Sequence, residues 1–303
     1  MRFRYDEQIE SQPDAVRAVL DRAAPRLDRS RPLLFSGQGS SLHAARVAAA
    51  WAGHPAGAVE AHELAMRVPI PAGAQVVAIS HSGSGFTAAV LEKARSAGAR
   101  TFAVCGEGVR VEADVLVPTC APERAQTHSV SYLTALAALG QMLGLDLEEA
   151  PRLLRDALAG PPPLDEATRL ADKDPLLVAG LGLDAIAAAE TALKLKEATF
   201  KWAEGMAVEQ ALHGPQAALR AGMGAVLFAP AQDDGGRTGR LRELCVGLGV
   251  EVVELRVPGC SEAVRPLLSV IPAQRLAAEI ARLTGGDPDH SRNTPRPSHR
   301  GVA

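Results

Sequence analysis

The chain has 303 residues, enough for one large domain or two of ordinary size, and 47% of them are hydrophobic, so it can bury sizeable cores. Only 3% are aromatic, which leaves Ala, Leu and Val to fill those cores. A net charge of −3 argues against nucleic acid or an anionic membrane surface as partner, and no apolar run reaches membrane-spanning length.

In chain order, residues 1–30 open with "MRFRYDEQIESQPDAV", which is polar, helix-like and unlike a secretory signal. Cys105, Cys120, Cys245 and Cys260 lie far apart without a CxxC pair, so they read as reduced core or near-core thiols in a cytoplasmic protein, with no metal site. Residues 31–150 form a first α/β unit. It begins with "PLLFSGQG" at 32–39, an apolar strand and glycine turn leading into an Ala-rich helix. "QVVAIS" and a helix over Phe86–Ala97 follow, then the apolar runs "TFAVC" and "DVLVP". Residues 151–174 read as a linker or helix break, because Pro161, Pro162 and Pro163 cannot continue a helix.

Residues 175–303 repeat the plan. "PLLVAGLG" at 175–182 matches "PLLFSGQG" at an offset of 143 residues, with Ala44 and Ala45 falling on Ala187 and Ala188. "AVLFAP" with a helix over Arg237–Leu248 is the second strand-and-helix unit, and "VEVVEL" and "LLSVIP" read as further strands. Near-continuous rather than alternating apolar runs predict strands covered on both faces, hence two parallel sheets with crossover helices.

The stretch between the second strand and its helix, Ser80 to Thr87, holds three serines, a threonine and two glycines. In open parallel sheets a ligand binds at the carboxyl ends of the strands, where helix N-termini point their free N–H groups. Ser80, Ser82, Ser84 and Thr87 offer hydroxyls and Gly83 and Gly85 let the backbone close on an anion, with His81 in the same loop. Such a loop is also what plain turns and N-caps use. The second half supplies a contrast, since its loop "PAQDDGGR" carries Asp233 and Asp234, which would repel a phosphate. Gly37, Ser40 and Ser41 are expected to form a second wall of the same phosphate pocket. The Gly37–Gly39 pair lacks the third glycine and the acidic partner of a dinucleotide site, so no cofactor is expected.

Glu190, Lys194, Glu197 and Lys201 are spaced i, i+4, i+7 and i+11 along one helical stripe. That spacing suits an exposed ladder of ion pairs. Flanking Ala, Leu, Phe and Trp point instead to a mostly covered helix, where a carboxylate beside lysines can act as a positioned base. His213 follows at a Gly-Pro turn, where a lone histidine is more often structural.

The order "GQGSS", "HELAMR", "SHSGSG", "ETALKLKEATF", "ALHGPQAAL" and "DPDHSRN", spanning residues 36–293, resembles the SIS (sugar isomerase) family, and within it the isomerase half of the glucosamine-6-phosphate synthase branch. The resemblance implies two flavodoxin-like SIS subdomains in tandem, each a three-layer α/β/α sandwich, and a homodimer with shared active sites. First-half serines and threonines would hold the sugar phosphate; either Ser84 or Thr87 takes the family threonine's place. Glu197 would shuttle a proton between C1 and C2, His213 would assist ring opening from the neighbouring subunit, and Glu190 and Lys194 would support them. Two departures matter. The branch's glutamine amidotransferase half has no counterpart here, so glutamine-fed synthesis is not expected. Arg296 stands where the branch has an imine-forming tail lysine, and a guanidinium cannot form a Schiff base.

The expected activity is isomerisation of a hexose or amino-hexose 6-phosphate, with deamination or sugar-amine-phosphate deglycation as variants. The alternative is a silent sugar-phosphate-binding regulator. Such regulators usually carry a helix-turn-helix domain, and none fits before Pro32.

Overall fold

The computed structural model describes residues 2–53 and 55–293. Strand β1 (Leu33–Gly37) runs through a glycine turn into α2 (Ser40–Ala52), and β6 (Leu176–Gly180) runs through its own turn into α8 (Leu183–Thr199). Both pairs begin at the offset of the sequence repeat. Gly39 and Gly182 take the same positive φ, 55° and 56°, which a side chain would resist. A Cβ on Gly37 or Gly180 would collide with the backbone of Ser41 or Asp184, so strand and helix approach closely in each copy.

The first sheet adds β2 (Ala56–Glu60), β3 (Gln75–Ser80), β4 (Arg100–Cys105) and β5 (Val115–Pro118) in the order β2-β1-β3-β4-β5, every pairing parallel. This is the flavodoxin-like order. The second sheet, with β7 (Ala203–Ala207), β8 (Gly224–Phe228) and β9 (Glu251–Leu255), runs β7-β6-β8-β9 in parallel, the same arrangement one strand shorter.

The remaining helices are α1 (Arg4–Leu20), α3 (Ala61–Met66), α4 (Thr87–Ser96), α5 (Val130–Leu143), α6 (Ala150–Ala159), α7 (Leu164–Leu170), α9 (Val208–Leu212), α10 (Arg237–Gly247) and α11 (Arg265–Thr284). Alternate strand residues face opposite sides. Phe35, Val77 and Phe102 of the first sheet and Val178, Val226 and Val253 of the second join one central core with residues of α1, α2, α5, α8 and α11. Val76, Ala78 and Ala103 instead pack under α3 and α4, and Ala179, Ala225 and Leu227 pack under α9 and α10. Each sheet therefore lies between helical layers, and the two sandwiches share the inner one.

One expected strand is a helix. "LLSVIP", residues 267–272, lies within α11, where Leu267, Leu268, Val270 and Ile271 are all buried. An apolar run covered on every side carries no period, so a buried helix and a buried strand look alike. The 151–174 stretch contains most of α6 and all of α7, with the helix break at the three prolines, and Leu154, Ala167 and Leu170 bury in the central core. Cys105, Cys120 and Cys245 are buried free thiols and Cys260 is half-buried. Among the described residues no helix is long and apolar enough to cross a membrane.

Candidate active site

After β1 the chain crosses to the inner face of the sheet through α2, and after β3 it crosses to the outer face through α4. The loops diverge there and open a crevice at the carboxyl ends of the strands. A cavity of about 370 Å³ occupies it. Gly37, Ser40, Ser41, Ser80, His81, Ser82, Ser84 and Thr87 line it, and Lys194 and Glu197 reach it from α8 of the other half. Of the first-half residues read from the sequence, only Gly83 is not on its wall. Gly83 shapes the loop instead: its φ is 69°, and a Cβ there would meet Val109 Cγ1 at 2.5 Å.

Within the loop, the Ser82 and Ser84 hydroxyls bond at 2.6 Å, and Thr87 Oγ1 donates to the Ser84 carbonyl at 2.9 Å. No acidic residue stands in the first turn of α4, so its N-terminal amides face the crevice uncompensated. The second half fills the equivalent places with its own carboxylates. Asp234 accepts the amides of Gly236 and Thr238 at the start of α10, both at 2.9 Å or less, and those bonds hold its carboxyl below the ordinary range. Asp184, at the position matching Ser41, pairs with Arg265 at 2.6 Å and accepts the Ser269 hydroxyl at 2.8 Å. One half presents an open cradle for an anion; the other has closed it.

The opposite wall is α8. Glu190 is fully buried and Lys194 is 1% exposed, so the stripe is no solvated ladder. Glu190 accepts the Ser40 hydroxyl at 2.9 Å and pairs with His43 Nδ1 at 2.6 Å and Lys194 Nζ at 3.5 Å. Burial works to raise its pKa, but Lys194, His43 and Ser40 hold it below the usual carboxylate value. Lys194 also donates to Glu197 Oε2 at 2.6 Å. Burial opposes its charge, yet Glu197 and Glu190 together raise it above an ordinary lysine. Glu190 thus lies behind the wall as an anchor, whereas Glu197, with a side chain one-third exposed, meets the cavity. Lys201 falls beyond α8 and donates to the Lys173 carbonyl.

His213 is not part of this cavity. It ends α9 with a side chain 68% exposed, its Nδ1 2.9 Å from the Glu209 carbonyl oxygen. Arg296 lies outside the described residues. The sequence reading missed the segment after β5 and the first turn of α5, which bring Thr119, Gln126, His128, Ser131 and Tyr132 to the cavity. They carry neither a glycine turn nor a repeat partner, and only the fold reveals them. His43 was missed as well, although it stands one turn after Ser40 on α2.

No family model matches the chain. It is 29% identical over 347 aligned residues to glutamine–fructose-6-phosphate aminotransferase (isomerizing) of Thermococcus kodakarensis, covering 95% of this chain and 56% of that relative. The chain spans about half the length of the curated relatives it matches. Among solved structures, the C-terminal domain of glucosamine-fructose-6-phosphate aminotransferase from Francisella tularensis aligns with a TM-score of 0.82 at 20% identity, over 96% of this chain and 98% of that one. Glucosamine-6-phosphate deaminase from Thermotoga maritima aligns with a TM-score of 0.79 at 19% identity, over 96% and 98%. The fold is that of the tandem phosphosugar isomerase-like α/β proteins. The chain has the tandem two-sandwich fold of the SIS (sugar isomerase) proteins and is similar along its length to part of the aminotransferases.

Proposed function

We propose that the protein is a cytoplasmic enzyme that interconverts the aldose and ketose forms of a hexose or amino-hexose 6-phosphate, working as a homodimer. The observation that carries this reading is the cavity itself, in which the hydroxyl loop at 80–87 and the Glu197 carboxylate face one space from different halves. A dianion fits the loop and the α4 N-terminus. With the phosphate held there, the sugar carbons extend toward α8. Glu197 takes a proton from one of C1 and C2 and returns it to the other, and Lys194 fixes the carboxylate by the bond to Oε2. With a 2-amino sugar the same transfer gives an imine at C2, which water hydrolyses to the ketose and ammonia.

Ring opening needs a group that moves a proton between O5 and O1, and an imidazole suits that work. We assign it to His213 of a second copy, because the exposed position of His213 puts it out of reach of its own cavity.

A panel of hexose and amino-hexose 6-phosphates in deuterated water tests the reading by proton exchange at C1 and C2. Ammonia release and C–N cleavage products separate deamination and deglycation from plain isomerisation. Glu197→Gln keeps the shape and removes the base, so turnover should fall by about 10²–10⁴-fold with binding nearly unchanged. Full exchange in Glu197→Gln on a sugar that the wild type turns over would remove Glu197 from the role. Binding of sugar phosphates without exchange by the wild type would favour a regulator.

A further inference from the structure

Moving a proton between C1 and C2 is half of an aldose–ketose interconversion. The two oxygens on those carbons must also exchange a proton, and neither Glu197 nor the ring-opening histidine has been given that task. The inference therefore rests on the isomerase reading above.

The described side chains on the cavity wall that can both gain and lose a proton are His81, His128, Tyr132, Lys194 and Glu197. Lys194 is locked between two carboxylates at 2.6 and 3.5 Å. Burial, and then Glu190, hold the Tyr132 phenol well above its ordinary value. His81 is half-buried; its Nε2 accepts the Glu123 amide at 3.4 Å, and burial followed by His128 holds it below an ordinary histidine. Its Nδ1 is buried with no partner among the described residues. Glu197 is committed to the carbon proton. His128 remains.

The surroundings of His128 are built for a proton carrier. Its ring meets the His81 ring edge-to-face at 5.3 Å between centroids. The Glu123 carboxylate next to it is fixed by the amides of Ser129, Val130 and Ser131 at 2.8–2.9 Å and by Gln8 Nε2 at 2.6 Å. Burial disfavours charge on Glu123, but His128 and the bonds from Ser131 and Ser129 keep it ionised below the usual range. The titratable groups around His128 are Glu123 and His81 beside it and Lys194 and Glu197 on the wall of the same cavity.

We propose that His128 of the first half carries the oxygen proton while Glu197 of the second half carries the carbon proton. Starting from the ketose, Glu197 takes the C1 proton and the C1–H pair becomes the C1=C2 bond. The C2=O π pair moves to O2, which takes a proton from the His128 imidazolium, giving a neutral enediol. Neutral His128 then removes the O1 proton, C1=O forms, and the C1=C2 pair takes the proton of Glu197 at C2. Both residues end as they began.

The experiment compares wild type, His128→Gln and His128→Asn, with circular dichroism to check folding and sorbitol 6-phosphate, which lacks the carbonyl, to read binding. Expected are a fall of about 10²-fold in kcat, loss of one limb of the kcat–pH profile, and sorbitol 6-phosphate affinity within about threefold of wild type. On the folded wild type, sorbitol 6-phosphate should also perturb a histidine imidazole signal in the NMR spectrum that His213→Ala retains, a readout that survives if both His128 variants misfold; no such signal would overturn the proposal. A folded variant with unchanged kcat and pH profile, or one raised only in KM, would overturn it too, leaving His128 a binding group. If the wild type exchanges no carbon proton on any hexose 6-phosphate, the isomerase reading fails first and the His128 role with it. If Glu197→Gln is inactive and His128→Gln is not, only the His128 role fails.

Discussion

Removing a carboxylate from water costs several kcal/mol even after relaxation, and Glu190 offsets that cost with His43 at 2.6 Å, Ser40 at 2.9 Å and Lys194 at 3.5 Å. Its neighbours win over burial, so its folded pKa lies below the unfolded value. A depressed carboxylate contributes stability that is present above the unfolded pKa, about 4.3, and lost as pH falls through the folded one. Glu123 has the same sign. The melting temperature should therefore hold from neutral pH to about pH 5 and drop below it. Glu190→Gln should flatten that acid drop in part and cost about 3 kcal/mol at neutral pH, because buried Lys194 loses one of the two carboxylates it pairs with and keeps Glu197. Urea melts at several pH values measure both. An unchanged acid slope in Glu190→Gln would mean that other carboxylates set it.

The N-termini of α4 and α10, which follow the equivalent strands β3 and β8 of the two halves, make opposite predictions. Among the described residues the Ser82 hydroxyl in the loop before α4 bonds its neighbour Ser84, to the hydroxyl at 2.6 Å and the amide at 3.4 Å, whereas Asp234 before α10 already holds two amides of its helix start. Under the proposed reading Ser82 holds the phosphate rather than the reacting carbons, so Ser82→Ala should raise KM for a hexose 6-phosphate about tenfold with little change in kcat. Asp234→Ala should cost about 1 kcal/mol of stability and leave KM alone. Steady-state kinetics with a urea melt reads both, and a KM effect from Asp234→Ala would place a phosphate in the second half. This contrast could be read from the sequence, because Ser/Gly and Asp/Asp loops at matching positions differ in charge. The apolar flanks of the 190–201 stripe marked a covered helix, but it was the resemblance that singled out Glu197 on it. The wall from Gln126 to Tyr132 could not be read from the sequence, because only the packing of α5 in the central core brings it to the site and it has no periodic signal of its own. The α11 run misled for the related reason that a residue buried on all sides has no polar partner to mark its period. The fate of Ser41's counterpart, Asp184, was hidden as well, since its partner Arg265 lies 81 residues away.

The two sandwiches share their inner helical layer, so the cavity draws on both halves of one chain and no second copy is needed to bring Glu197 to the hydroxyl loop at 80–87. His213 is the exception. It sits on the outer side of the second sheet, beside α9, with most of its ring in solvent. If ring opening uses His213, a second chain must present it, and a two-fold dimer presents each chain's His213 to the other. Glu197→Gln and His213→Ala are then each inactive toward cyclic sugar phosphates for different reasons. In a mixed dimer, the chain that keeps Glu197 receives His213 from its partner, and that one site is whole. The other site lacks both groups. With equal amounts and free exchange, half of the dimers are mixed and half of their sites work, so activity should recover to about a quarter of wild type. Differently tagged chains, co-purified after mixing, verify exchange. Mixed dimers that stay inactive would show that His213 serves no neighbouring site, and His213→Ala alone should then turn over cyclic and open-chain substrates alike.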